Sequence, residues 1–244
     1  MREIAIDHFT RRASHYDRSS RWCTDPALGA AIFAAVNPGP TDRVLDVACG
    51  TGLVARHFKG RVGELVGLDF TEAMYDQARP HVDRLVVGSG EDMPFAEDSF
   101  DHAVERQGIQ FMHDRRAVAE MVRVVKPGGR IVLVQLCAYG ESDCAEYFEV
   151  LRLRNPARRN FYLRENLTDL LTGAGCRQAT VRTYVSDEDV DAWADNHAID
   201  DAARSGIREI YRSGSPAFLS LHGVRQEEGR CLDKMLFGIA IGVK

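Results

Sequence analysis

One stretch, Val44-Leu45-Asp46-Val47-Ala48-Cys49-Gly50-Thr51-Gly52, restricts this chain more than any other. A short apolar run meets a glycine-containing turn. Leu53, Val54, His57 and Phe58 follow at helical spacing, and Gly60 stops them. The pattern predicts a buried strand, a tight loop and the start of a helix. Gly50 and Gly52 let the backbone turn sharply and lie close to a ligand. Unpaired N–H groups at a helix start point at whatever sits there. Glu64 to Leu68 repeats the strand pattern and ends in Asp69. An acid at the tip of the second strand, about 20 residues past a glycine loop, is placed to accept hydrogen bonds from a ribose diol.

This loop is not the dinucleotide fingerprint. The glycines are spaced G-T-G, and Asp46 stands just before them. A carboxylate there would repel a pyrophosphate and hold an ammonium group. The ligand should therefore carry a ribose and a cation, and S-adenosylmethionine has both. On these residues the chain resembles the class I S-adenosylmethionine-dependent methyltransferases. V-L-D-V-A-C-G-T-G looks like their first motif and V-G-L-D-F like their second. Residues 120–130, E-M-V-R-V-V-K-P-G-G-R, are close to their E-M-x-R-V-L-K-P-G-G-R turn into a fifth strand. The likeness is strong from about residue 41 to 137 and is greatest to the small-molecule, quinone C-methyltransferase-like group.

The resemblance implies one α/β domain over 1–244. It should hold a Rossmann-like, seven-stranded, mostly parallel sheet with helices on both faces and an antiparallel last strand. Residues 1–40 would form a helical lid, 41–137 the cofactor-binding half, and 138–244 the substrate-side half. Periodicity places helices at Asp25-Pro26 onward, after Thr71, and from Asp114 to Val125. It places a sixth strand at Val181–Val185, a last strand from Lys234 to Val243, and two helices in an insertion at 186–230.

The same resemblance implies which residues meet the cofactor. The first motif offers Asp46, Ala48, Cys49, Gly50 and Gly52, and the second offers Asp69 and Phe70. Met74 either walls the adenosine or is simple core. Residues 1–22 read as an amphipathic opening helix or two, with Ile4, Ile6, Phe9, Ala13 and Tyr16 as the apolar and aromatic positions, and the run from Phe9 to Asp17 looks like the F-x-x-x-A-x-x-Y-D segment that folds over the cofactor in that group. Tyr16 then either touches the cofactor or packs its helix onto the core. Gly88 to Phe95 resembles the G-D-A-E-x-L-P-F segment that meets the adenine, which nominates Gly90, Glu91, Asp92 and Met93. Ser89 stands where that segment has Asp, so Ser89, Glu91 or Asp92 would have to replace the carboxylate contact. Arg106 and Gln107 follow the fourth strand, where such sheets bind ligands. Arg106 either holds an anionic substrate group or pairs with Glu105 or another acid.

Composition narrows the partners. With 31 basic against 36 acidic residues the formal charge is −5, and no strongly basic run suggests nucleic acid. Arg11-Arg12 and Arg152 to Arg159 read as solvated helix faces. There is no 18-residue apolar run and no signal-peptide pattern. Six cysteines without C-x-x-C spacing give no metal site or redox pair, so a cytoplasmic monomer or homodimer with reduced thiols is expected. Methyl transfer is an in-line displacement in which the protein positions the partners and excludes water. A base is needed only for an un-ionised acceptor. Candidates are Tyr139, His197, His222 and, best placed after the fourth strand, His113. The acceptor expected is a small aromatic, quinone-like or lipid-like molecule methylated at O, C or N. Two alternatives stay open: a cofactor-binding protein that does not methylate, or a protein or RNA methyltransferase docking through 186–230.

Overall fold

The computed structural model describes residues 2–12 and 16–244, with side chains from Asp7 onward. The Ile4, Ile6 and Ala13 side chains lie outside the described residues. Eight strands form one sheet: β1 Arg43–Val47, β2 Glu64–Asp69, β3 Arg84–Val87, β4 Phe100–Arg106, β5 Val125–Cys137, β6 Arg177–Asp189, β7 Arg225–Glu227 and β8 Arg230–Val243. Their order is β3-β2-β1-β4-β5-β8-β6, with β7 beside β8. The first five strands run parallel, and β8 is antiparallel to both β5 and β6. The mostly parallel sheet with a reversed last strand is the expected α/β architecture. The count is eight rather than seven because β7 folds back on β8. The turn between them holds Glu228 and Gly229 at φ 51° and 78°, the left-handed pair a tight hairpin requires.

Central strands are buried on both faces. Val44 faces a cluster that includes Leu28, Ile32 and Val36 of the helix Pro26–Val36. Leu45 and Val47 face a second cluster with Ala117, Val118 and Met121 of the helix Asp114–Val124. A strand covered on both sides reads as a continuous apolar run, which is why β1 was legible. The helix start at Asp25 is as read: its carboxylate accepts from Ala27 N, and Pro26 takes the first position. The chain runs outward from β1 to β3, then jumps back to β4 on the other side of β1. That reversal leaves a crevice at the tips of β1 and β4.

Four local expectations change. The segment after Gly52 is not an α-helix but turns around one 3-10 turn, Ala55–His57. The run up to Gly60 is too short to sustain a helix, and burial of Leu53, Val54 and Phe58 holds it instead. The helix starts after Thr71 and at Asp114 form without a side-chain N-cap, and Asp114 is the first helical residue rather than the residue before it. β5 begins at Val125, so Lys126-Pro127-Gly128-Gly129 forms a bulge inside the strand rather than a turn before it. A Cβ on Gly129 would lie 2.2 Å from the Asp101 carbonyl, so only glycine fits that bulge. The 186–230 segment holds three helices, Val190–Ala194, Asp201–Ser213 and Pro216–Leu221, not two, and its first residues extend β6 to Asp189. Gly214-Ser215-Pro216, read as a breaker, also starts the third helix: the Ser215 hydroxyl accepts from Phe218 N at 3.2 Å.

Beneath that insertion lies a buried polar network. His222 Nδ1 sits 2.8 Å from Asp233 Oδ1 and its Nε2 3.1 Å from Asp143 Oδ2, all three side chains sealed from solvent. Asp143 also accepts from Tyr139 N at 2.9 Å and Gly140 N at 2.7 Å, and Tyr211 donates its hydroxyl to Asp233. The network joins the turn after β5, the third insertion helix and β8. Among the described residues no helix is long and apolar enough to cross a membrane.

Candidate active site

The tips of β1, β2 and β4 and the N-terminal segment build the crevice. At the end of β1 the backbone leaves the sheet through Ala48 at φ 55°, Gly50 at φ 54° and Gly52 at φ 83°. The loop is held from within, Cys49 N donating to Leu68 O at 3.1 Å and Gly52 N to Cys49 O at 2.8 Å. A Cβ on Gly50 would meet nothing within 4 Å, so the loop there borders open space. Asp69 closes the opposite side. Its Oδ2 accepts from Gly50 N at 2.8 Å and its Oδ1 from Thr71 N at 2.7 Å, which locks the acid against the glycine loop. Thr51 donates to Asp17 at 2.6 Å and ties the N-terminal segment to the loop.

Asp46 points into the crevice from within β1. It is 1 % exposed, and its Oδ2 has no hydrogen-bond partner. Burial pushes its carboxyl up to about 8; the Arg106 charge opposes the shift and Glu105 and Asp69 add to it. A fully buried carboxylate oxygen left without a donor is the arrangement an incoming cation would complete.

At the tip of β4 the chain makes a tight turn with Gln107 at φ 57°. Glu105, completely buried, holds this turn. It accepts from Gly108 N, from Ile109 N at 3.0 Å and from the Gln135 amide at 2.7 Å. Burial raises its carboxyl to about 7 against the pull of those hydrogen bonds. Glu105 is thus committed to the backbone, and the expected Arg106–Glu105 pair does not form. Arg106 makes no ion pair among the described residues and stacks over Trp22 with its guanidinium carbon 5.2 Å from the ring.

These elements enclose a cleft that is open at its mouth. Of the residues nominated from sequence, Tyr16, Asp46, Ala48, Cys49, Gly50, Asp69, Phe70, Met74, Arg106 and Gln107 line it. Phe9, Thr51, Thr71, Phe111 and Met112 line it too and were missed. Gly52 shapes the loop from outside the wall, packed toward His81. Gly90, Glu91, Asp92 and Met93 do not line the cleft. Ser89 and Asp92 bridge to each other, Asp92 is exposed, and Glu91 Oε1 turns outward to accept from His113 N at 3.0 Å. Met93 N is held by Glu120 of the helix Asp114–Val124 at 2.8 Å, while Gly90 backs onto Met112 of the cleft wall.

None of the base candidates reaches the cleft. His113 is exposed, with Arg159 donating to its ring at 3.3 Å. The expectation that it faces the site is corrected: the turn held by Glu105 sends Gln107, Phe111 and Met112 inward and leaves His113 on the rim. Tyr139 donates its hydroxyl to Lys234 O, His197 is exposed, and His222 is locked in the buried network.

A second cavity of about 390 Å³ adjoins the first and shares Phe9, Tyr16, Gln107 and Phe111 with it. Arg12, Arg154 and Arg158 line this cavity, exposed by only 4 %, 6 % and 8 %. The reading of these arginines as solvated helix faces is therefore wrong. A signal existed: in the helix Cys144–Arg154 the buried stripe is Tyr147, Val150, Leu151 and Arg154, so Arg154 occupies an apolar position of the helical pattern.

Comparison with known proteins fits this geometry. The sequence profile of the methyltransferase domain matches residues 45–133. A demethylmenaquinone methyltransferase of Renibacterium salmoninarum is 37% identical over 108 residues, covering 43% of this chain and 45% of that protein. YcgJ of Bacillus subtilis, an uncharacterized methyltransferase, is 36% identical over 158 residues, 61% of this chain and 62% of its own length. The chain spans about half the length of the demethylmenaquinone methyltransferases it matches. Among solved structures, the YcgJ crystal structure superposes with a TM-score of 0.82 at 21% identity, covering 90% of this chain and 99% of that one. Geranyl diphosphate C-methyltransferase of Streptomyces coelicolor, solved with S-adenosyl-L-homocysteine, superposes at 0.60 and 19% identity, covering 90% and 79%. These likenesses establish the class I methyltransferase fold.

Proposed function

From the methyltransferase domain that residues 45–133 carry, we propose that this protein transfers a methyl group from S-adenosylmethionine to a small-molecule acceptor. The observation that carries the reading is the unpartnered, buried Asp46 carboxylate oxygen beside an open glycine loop, with Asp69 fixed across from it. Asp46 holds the ammonium group, Asp69 accepts from the ribose hydroxyls, and Phe70 and Met74 wall the base. The bound sulfonium supplies an activated methyl, which the acceptor's lone pair takes as the S–C electron pair returns to sulfur. The chain's own residues position and desolvate. Phe9 and Tyr16 cover the crevice from the N-terminal segment, Phe9 meeting Phe111 edge-on at 5.1 Å between ring centres. No histidine among the described residues lines the cleft, so a base is required only if the acceptor is not already ionised. The balance of charges, net −5, suits a small molecule better than nucleic acid, and the protein works as a cytoplasmic monomer or homodimer.

Calorimetric titration with S-adenosylmethionine and S-adenosylhomocysteine tests the cofactor. A screen for homocysteine-product release against phenols, quinones and amines then tests turnover. Asp69→Ala should raise the cofactor dissociation constant roughly 10- to 100-fold, the worth of hydrogen bonds to a charged group. Unchanged binding in that variant would count against the assignment.

A further inference from the structure

We propose that the methyl acceptor carries an anionic group, a carboxylate or a phosphate on a small apolar or aromatic body, and that Arg12, Arg154 and Arg158 receive it in the second cavity. The inference rests on the methyltransferase reading of the first cavity and adds the acceptor's chemical class.

Three guanidinium groups line one buried space without a counter-ion. Among the described residues none of the three has a carboxylate within ion-pair distance. Each spends part of its fork on neutral groups: Arg12 on Ser19 Oγ at 3.2 Å, Arg154 on Trp193 O at 3.0 Å, Arg158 on Asn160 O at 3.1 Å. One nitrogen on each, Arg12 Nε, Arg154 NH2 and Arg158 NH2, is left with no partner at all. Glu188 is the acid on this side of the fold, and it is already engaged. Its oxygens accept from Arg21 N at 2.8 Å, Trp22 N at 2.9 Å and Ser186 Oγ at 2.6 Å.

The remaining polar groups of the cavity point the same way. Trp22 Nε1, Trp193 Nε1, Asn155 Nδ2 and Gln107 Nε2 are further buried donors without acceptors, against a single orphaned acceptor, Gln110 Oε1. Such a wall asks for a ligand that only accepts, which among small organic groups means an oxyanion. Burying an uncompensated charge costs several kcal/mol, so three together form a site built for an absent negative partner rather than a structural ion cluster. Their basicity reflects the strain: burial lowers all three, Arg158 to about 10, and His8 beside Arg12 falls to about 3 and stays neutral.

Position links this site to the chemistry. Phe9, Tyr16, Gln107 and Phe111 face both cavities, so an acceptor anchored by its anion among the arginines lays its body along these rings and presents its far end to the first cavity. Apolar walls from Leu136 and Leu151 suit a compact body.

The test is calorimetric titration of the protein saturated with S-adenosylhomocysteine, using benzoate, phenyl phosphate and neutral phenol. At least one anion should bind tenfold or more tighter than phenol, and which one distinguishes carboxylate from phosphate. Arg154→Gln and Arg158→Gln should each abolish that preference while still binding S-adenosylhomocysteine, which reports folding. Arg158→Lys is the second variant, keeping charge but losing the planar fork; it should lose part of the preference. Arg158→Met, which removes an unpaired buried charge, should raise the melting temperature of the ligand-free protein. Equal binding of phenol and both anions would overturn the proposal, as would glutamine variants that keep the preference. Anion preference without S-adenosylhomocysteine binding would instead sink the cofactor reading and leave the anion site standing.

Discussion

Asp46→Ala should weaken S-adenosylmethionine at least ~100-fold and, at the same time, raise the melting temperature of the ligand-free protein. The first effect follows from removing one partner of a buried charge pair, worth about 3 kcal/mol or more, where each 1.4 kcal/mol is tenfold. The second follows from relieving an orphaned buried carboxyl group. Protons give an independent readout. The folded-state carboxyl titrates near 8 against an ordinary 3.8, so the folded protein binds more protons than the unfolded chain. Its stability therefore falls as pH rises from 3.8 towards 8. At pH 7 the ligand-free side chain is mostly protonated, and an arriving ammonium group favours the carboxylate. Binding at pH 7 should release about one proton, and affinity should weaken as pH drops below about 8. Titrations in two buffers of different ionisation enthalpy measure the release. An alanine variant that binds as tightly as the parent would remove Asp46 from the site.

His222→Ala should cost the fold about 3–5 kcal/mol, because it leaves Asp143 and Asp233 as buried acids without their cation. For a chain of this size that is a drop of roughly 6–20 °C in melting temperature. The pH dependence carries its own sign. Burial pulls the imidazole's pKa down, but the hydrogen bonds and charges of Asp233 and Asp143 outweigh it, and the folded value stands above the ordinary 6.5. The histidine's contribution is therefore complete below pH 6.5 and is lost as pH rises through the folded value. Melting curves of parent and variant should lie furthest apart at acid pH and converge on the alkaline side. A variant melting within a degree or two of the parent, with the same pH profile, would show that the network is dispensable.

Local chemistry was legible and long-range convergence was not. Asp46, the glycine loop and Asp69 belong to one strand-turn-strand unit, and each residue's part depends on neighbours close in sequence. That unit, together with the family resemblance, therefore outlined much of the first cavity. Glu105 was harder. An acid beside an arginine reads as an ion pair, yet its partners are backbone N–H groups of a turn whose φ at Gln107 no pattern announces. Gly90 to Met93 match a known segment by residue type, yet in this structure they stand behind Met112 rather than in the cleft wall. The arginines failed most instructively. Arg12 lies far from Arg154 and Arg158 in sequence, and the space they share exists only once the N-terminal helix, the helix Cys144–Arg154 and the loop beyond it are packed together. What the sequence did contain was a charged residue in the apolar stripe of a helix, a contradiction that packing alone could resolve.

The order of strands bears on how the chain comes to be folded at all. β6 has no neighbour in the sheet except β8, and β8 is translated later than every other strand. While a ribosome is still making residues 190–229, β5 and β6 wait as two open edges facing the same empty lane. Such edges invite pairing with other chains until the missing strand slides between them. The segment that fills the lane comes last, so this sheet should assemble slowly, and nascent or shortened chains lacking it should be recovered bound to chaperones or in aggregates.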